Sequence, residues 1–333
     1  MAYPTDSIQL PRRSLGFLPT PVVELRTLAR YLGGPRILMK RDDQTGLALG
    51  GNKVRKLEYL MGDALAQGAD CVVTGGAVQS NHCRQTAAAA AVCGMACHLA
   101  LGGSPPALLN GNLLLDSLLG ATIHWSGDCR KGENIPQICA GLRQEGKKPY
   151  VIPYGGSNEI GAAGFVEAVR EVAAQLGPDI AALSHVVFAS SSGGTHAGLL
   201  LGKILYGLNF QVIGINIDKG ESGERPLREH ILDLANSTAS HLGVSAAFSA
   251  EDVVLLDDYV GAGYAVIGDL EREAIKLTAR HEGILLDPVY TGRAMGGLLD
   301  LIKKKAVNRS DTVLFWHTGG SPALFAYAEE LSR

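Results

Sequence analysis

From about residue 37 to residue 317 the chain alternates short runs of β-branched and other apolar residues with longer stretches in which apolar residues recur every three or four positions. Runs of the first kind predict strands at 37–40, 71–74, 97–101, 122–125, 150–153, 186–189, 212–217, 253–256 and 313–317. Stretches of the second kind predict helices, among them 54–67, 81–93, 164–175, 197–207, 270–281 and 294–304. Strand and helix in strict alternation imply an α/β fold built on open, mostly parallel sheets with helices on both faces. Nine strands fit two such sheets better than one. Ligands of such sheets bind at the carboxyl ends of strands. Glycine-rich turns fall at those ends, at 74–76, 153–157, 190–194 and 317–320. Four such turns from distant parts of the chain suggest one shared cleft.

Composition narrows the class. Of 333 residues, 46% are apolar and 19% charged, which places the chain among globular proteins with room for two domains. A net charge of -3, with no charge run, offers no basic face to nucleic acid. Residues 1–13 lack the apolar centre of a signal peptide. The most apolar stretch, 87–101, is interrupted by Cys93, Gly94, Cys97 and His98, so no membrane span is expected. The six cysteines form no CxxC pair and are too sparse for a disulfide framework, which suits reduced thiols in a cytoplasmic enzyme. The nine histidines are scattered without HExxH spacing, and no metal is expected.

Candidate chemistry starts at Gly50-Gly51-Asn52-Lys53-Val54-Arg55-Lys56, where three cations crowd the start of a predicted helix. The helix dipole disfavours cations there. The segment is therefore either a solvated basic turn or the seat of an anionic ligand with a lysine placed for reaction. Ser190-Ser191-Ser192-Gly193-Gly194-Thr195 follows a predicted strand and opens a helix. It reads as a helix cap or as a phosphate cup of hydroxyls and backbone N–H groups. A dinucleotide is the rival ligand, with Asp218 ending the next strand, but the turn lacks GxGxxG and such a ligand leaves Lys53 unused. Ser80 or Asn81 caps the alanine-rich helix or serves a site, and the turn at Asp287–Gly292 adds Tyr290 and Thr291. A lysine able to condense with an aldehyde, joined to a phosphate cup, suggests pyridoxal phosphate.

Several segments together carry a resemblance: LPTP at 18–21, KRDD at 40–43, GGNKVRKLEYL at 50–60, QSNHCRQT at 79–86, SSGGTHAGL at 191–199, DPVYTG at 287–292 and HTGGSPALF at 317–325. With these motifs the chain resembles the family of D-cysteine desulfhydrase and 1-aminocyclopropane-1-carboxylate deaminase, of the tryptophan synthase β-like, type II pyridoxal-phosphate fold. The resemblance implies two three-layer domains, a large one of residues 1–53 plus 163–333 and a small inserted one of 54–162, with the cofactor between them and a homodimer as the assembly. It implies that Lys53 bonds the cofactor aldehyde. Asn81 contacts the ring and its oxygen. Ser192, Gly193, Gly194 and Thr195 hold the phosphate with Lys56 nearby, and Thr291 and Thr318 lie toward the ring. Ser80, Asn81 and His82 face the substrate. Tyr290, with Ser80, is a proton donor or positioning group, and Tyr264 is a second active-site tyrosine in a segment that departs from the family pattern.

Two positions separate the branches of this family. The deaminase carries glutamate after the DPVY tyrosine and leucine at the position of Thr318, whereas this chain has Thr291 and Thr318, the desulfhydrase pair. A hydroxyl instead of a carboxylate near the pyridine nitrogen leaves the ring a weaker electron sink. That suits β-elimination better than opening a cyclopropane. The expected activity is a carbon–sulfur β-elimination, with D-cysteine giving pyruvate, ammonia and hydrogen sulfide. The alternative substrate is L-cysteate, releasing sulfite, which would need extra cations such as Arg84 or Arg293, or His82. Residues around Tyr154, Asn158 and Tyr264 are expected to set the choice.

Overall fold

The computed structural model describes residues 8–220 and 225–332. The expectation about residues 1–13 therefore falls largely outside the described residues. Ten strands occur among the described residues: β1 (Val22–Glu24), β2 (Arg36–Arg41), β3 (Cys71–Gly76), β4 (Ala96–Leu101), β5 (Thr122–Trp125), β6 (Pro149–Val151), β7 (His185–Ser190), β8 (Gln211–Asn216), β9 (Val254–Leu256) and β10 (Thr312–His317). They form two sheets, one of six strands in the order β1-β2-β10-β7-β8-β9 and one of four in the order β5-β4-β3-β6. All ladders are parallel except β1 on β2, where Val23 pairs with Met39. The nine expected strands are present, with ends shifted by up to two residues. Strand β1 was not foreseen, because three residues beside Pro21 carry no period.

Helices cover both faces of each sheet. They are α1 (Arg26–Leu32), α2 (Lys53–Ala66), α3 (Asn81–Cys93), α4 (Gly111–Leu118), α5 (Ile135–Gln144), α6 (Glu159–Leu176), α7 (Gly194–Leu205), α8 (Leu227–His241), α9 (Asp269–Glu282) and α10 (Thr291–Lys303), with two short terminal helices, α11 (Ala323–Ala326) and α12 (Ala328–Ser332). On the large sheet, Phe165, Val169, Leu199 and Ile231 of α6, α7 and α8 bury one face, and Leu28, Ala274, Met295 and Leu298 of α1, α9 and α10 the other. The small sheet is covered by Leu57, Ala87 and Leu113 of α2, α3 and α4, and by Ile135, Cys139 and Leu142 of α5. Central strands β3 and β10 are buried along their whole length, as parallel strands covered on both sides must be. Among the described residues no helix is long and apolar enough to cross a membrane.

Strand order places the cleft. In the large sheet the chain runs outward from β7 to β8 and β9, then returns to the other side of β7 as β10. In the small sheet it runs outward from β3 to β4 and β5, then returns beside β3 as β6. Each reversal opens a crevice at the carboxyl ends of the two strands it separates, β7 and β10 in the large sheet and β3 and β6 in the small one. Three of the four expected glycine-rich turns follow β7, β10 and β6, whereas residues 74–76 are the last residues of β3 itself, still paired with β4.

Candidate active site

Residues from three of the four glycine-rich turns, 153–157, 190–194 and 317–320, line one cleft with the starts of α2 and α3 and with Tyr290, whereas none of residues 74–76 reaches it. Its walls include Asn52, Lys53, Ser80, Asn81, His82, Tyr154, Gly155, Ser192, Gly193, Thr195, Tyr290 and Thr318. The cations at the start of α2 are not a solvated turn. Arg55 and Lys56 are buried, and Lys53 is only partly accessible, as a residue of the cleft wall. Arg55 turns away from the cleft into a bidentate pair with Asp42 at 2.8 Å and bonds with Glu171 at 2.9 Å. Lys56 donates to Gly155 O at 3.1 Å and Ser157 Oγ at 3.0 Å, and no carboxylate pairs with it or with Lys53 among the described residues. Burial pushes the Lys53 amine down to about 8, and burial together with Lys53 pushes Lys56 well down. Two amines with no counter-charge form a place that an anion would relieve.

The opposite wall is the cup after β7. Helix α7 starts at Gly194, three residues earlier than the apolar period predicts. Its N-terminal N–H groups, which have no partner within the helix, thus begin within the Ser–Gly run. Ser192 Oγ meets Ser157 Oγ at 2.8 Å, and Gly194 N donates to Ser157 Oγ at 3.1 Å. Thr195 Oγ1 accepts from Asn52 Nδ2 at 3.2 Å, which links the cup to the residue before Lys53. A Cβ on Gly194 would stand 2.9 Å from Lys56 Nζ. A Cβ on Gly155, whose φ is +64°, would stand 2.1 Å from Ser192 Oγ and 3.4 Å from Lys53 Nζ. Hydroxyls, N–H donors, two lysines and a cradle that side chains would fill match a phosphate joined to an aldehyde-bearing ring, and so fit pyridoxal phosphate.

Helix α3 brings the third wall. Ser80 is its N-cap, with Oγ accepting from Cys83 N at 3.2 Å, so the cap and site readings both describe this residue. The helix N-terminus faces the cleft through Asn81 and His82, a position suited to a substrate carboxylate. Thr74 Oγ1 donates to Ile152 O at 2.8 Å and therefore accepts from His82 Nε2 at 2.9 Å. That leaves His82 Nδ1 as an unpartnered acceptor. Burial, reinforced by Lys53 and Lys56, holds this ring neutral. Tyr290 meets Tyr264 hydroxyl to hydroxyl at 2.7 Å, and burial pushes both phenols well up, so both keep their protons.

Not every expected residue reaches the cleft. Thr291 is fully buried at the start of α10, and its hydroxyl is committed to Asp287, donating to Oδ1 and accepting from Asp287 N at 2.7 Å each. It holds the turn that carries Tyr290 and does not line the cleft. The two arginines considered for a sulfonate also lie elsewhere. Arg84 is buried against Gly50 O and Asn112, and Arg293 against Glu271 and three backbone carbonyls. Helical period and burial could not separate these inward-facing cations from ligand-binding ones. Asn158 caps α6 through Gly161 N at 2.9 Å. Sequence reasoning missed Ser157, Asn52, Gln85 and Asn112, which touch site residues from other elements. Ser157, Asn52 and Gln85 lie inside segments already singled out, at 153–157, 50–60 and 79–86, but no local signal marked Asn112.

A family model described as "Pyridoxal-phosphate dependent enzyme" matches residues 13–319. D-cysteine desulfhydrases of Salmonella choleraesuis (strain SC-B67) and Salmonella newport (strain SL254) are each 44% identical over 326 residues, covering 96% of this chain and 97% of the relative. A solved ACC deaminase homologue superposes with a TM-score of 0.89 at 39% identity, covering 97% of this chain and 96% of its own. The processed form of threonine deaminase isoform 2 from Solanum lycopersicum shares the fold, with a TM-score of 0.62 at 17% identity, covering 94% and 82%.

Proposed function

The chain belongs to the pyridoxal-phosphate dependent enzymes, and from that premise we propose that it is a β-eliminating carbon–sulfur lyase acting on D-cysteine. The observation that carries this reading is the make-up of the cleft: a lysine, a phosphate cup and Thr318, with no carboxylate among the lining residues. A neutral group then faces the ring nitrogen whichever lining residue takes that place. When bound, the cofactor supplies an electron sink for charge developing at the substrate α-carbon. The weaker sink left by a neutral partner suffices where a leaving group carries the charge away. Lys53, with its amine pushed down to about 8, holds the aldehyde and, when free, takes the α-proton near neutral pH. The N–H groups at the start of α3 and the Ser80 hydroxyl orient the substrate carboxylate. Tyr290, kept protonated beside Tyr264, donates toward the departing sulfur. Ser192, Gly193, Gly194, Thr195 and Lys56 hold the phosphate, Asn81 the ring oxygen, and Thr318 the far end of the ring.

Pyruvate release from D-cysteine, L-cysteate and L-cysteine tests this. Preference for D-cysteine with equal sulfide is the expected result. Preference for L-cysteate with sulfite overturns the substrate, and silence on all three overturns the reaction class. Residues 54–162 form the inserted domain in this reading, and α2 and α6 start close to its two joints. The assembly is a homodimer that would cover exposed apolar side chains such as Phe17, Leu49, Leu108 and Phe325, and light scattering on the purified protein checks its mass. Six free thiols suit a cytoplasmic location.

A further inference from the structure

Asn81 lines the cleft through an amide whose two ends offer opposite chemistry, a carbonyl acceptor and an N–H donor. What decides its orientation lies outside the cleft. Arg84, buried in α3, can only donate. It donates Nη1 to Asn112 Oδ1 at 2.8 Å and Nη2 to Gly50 O at 2.5 Å. The Asn112 oxygen is therefore the end facing Arg84, and its nitrogen must point the other way. There Asn112 Nδ2 meets Gln79 O at 3.0 Å, a carbonyl that can only accept, and Asn81 Oδ1 at 2.9 Å. Both ends of Asn112 are thus fixed by groups with a single possible role. Asn81 must then turn Nδ2 away from Asn112. That nitrogen lies 2.8 Å from where a Cβ on Gly320 would stand, in the turn that carries Thr318. Among the described residues it has no hydrogen-bond partner. Arg84 also holds Gly50, three residues before Lys53, so one guanidinium braces the turn of the lysine and the amide across from it.

We propose that Asn112, oriented by Arg84, is a positioning residue that locks Asn81 with its N–H toward the cleft, so that the site presents a donor and not an acceptor to the ring oxygen of the cofactor. The inference rests on the reading of Asn81 as that oxygen's partner. A donor there favours the ionised oxygen, and with it a particular sharing of the proton between ring oxygen and Lys53 nitrogen, which the absorbance of the bound cofactor reports.

Asn112→Asp separates the possibilities. Aspartate still accepts from Arg84 but cannot donate, so Asn81 turns its N–H back toward residue 112 and its carbonyl into the cleft. Expected are a shifted absorbance maximum and pyridoxal-phosphate affinity weaker by about 10- to 100-fold, the effect of losing a hydrogen bond to a charged group. In an Asn81→Ala background the same substitution should add little, because it acts through Asn81. Asn112→Ala, which frees the amide without a new charge, gives a smaller shift in the same direction and serves if the aspartate variant does not fold. Wild-type affinity and absorbance in whichever of these variants folds, or losses that add fully to Asn81→Ala, overturn the proposal. If the unaltered protein captures no pyridoxal phosphate, or if Asn81→Ala leaves affinity and absorbance unchanged, the underlying reading fails instead.

Discussion

At the scale of single residues, burial without a counter-charge sets the chemistry. Lys53 has no carboxylate partner among the described residues, and burial brings its amine down to about 8. Only the neutral amine attacks an aldehyde, so capture of pyridoxal phosphate by the cofactor-free protein should speed up with pH through about 8 and level off above it; stopped-flow absorbance would show this, and a flat rate across that range would contradict it. Asp116 is the opposite case. Neither of its oxygens has a partner, and burial, only partly offset by Arg84, raises its carboxyl from 3.8 to about 8. The folded chain therefore holds this proton more tightly than the unfolded one, so its stabilising effect is complete below about 4 and is lost as pH rises through about 8. Asn in place of Asp116 should remove that loss, raising stability by roughly 1–3 kcal/mol at the alkaline end and little at the acid end in denaturant titrations at the two pH values. Lys53 stood out in the sequence because cations at a helix start conflict with the dipole. Asp116 did not, because nothing local marks an acid on α4 as buried.

At the scale of elements, helix and strand bodies were legible and their first turns less so. The apolar period locates α7 from residue 197, but its first turn is made of Gly194, Thr195 and His196, which carry no period, and the first two of these belong to the cup. Helix α6 likewise starts at Glu159, five residues before the pattern, behind its Asn158 cap. Caps and glycines serve ligands and helices alike, so local sequence does not separate the two uses. Ser80 is an N-cap that also lines the cleft, and Ser80→Asp divides the two uses. Aspartate is an equally good cap and suits the dipole, so the melting temperature should hold. A negative charge at the start of α3 should repel a substrate carboxylate and raise KM about tenfold or more with a smaller change in kcat. Steady-state kinetics beside a thermal melt decides this, and an unchanged KM would remove Ser80 from the substrate site.

At the scale of the whole molecule, Arg55 joins parts that are distant in sequence. Its guanidinium links α2 to Asp42 after β2 and to Glu171 on α6, while Lys40 and Trp316 bond the same two carboxylates. Replacing Arg55 by Met leaves buried Asp42 without its guanidinium partner, held only by the neutral donors Thr20 and Trp316, and should cost about 3–5 kcal/mol in urea unfolding, whereas an exposed pair such as Arg225 with Glu229 would cost under about 1 kcal/mol. The sequence by itself determined the α/β class, two mostly parallel sheets and glycine-rich segments at strand ends, and it pointed to Lys53 and the Ser–Gly run as the candidate chemical centre. Each of these follows from periods and local conflicts carried by neighbouring residues. Only the tertiary structure decided that Arg55, Arg84 and Arg293 are internal braces, that Thr291 serves Asp287, and that Asn112 Nδ2 meets Asn81 Oδ1. A side chain's partner depends on which strands reverse order and which helices cross, and that information is spread over the whole chain.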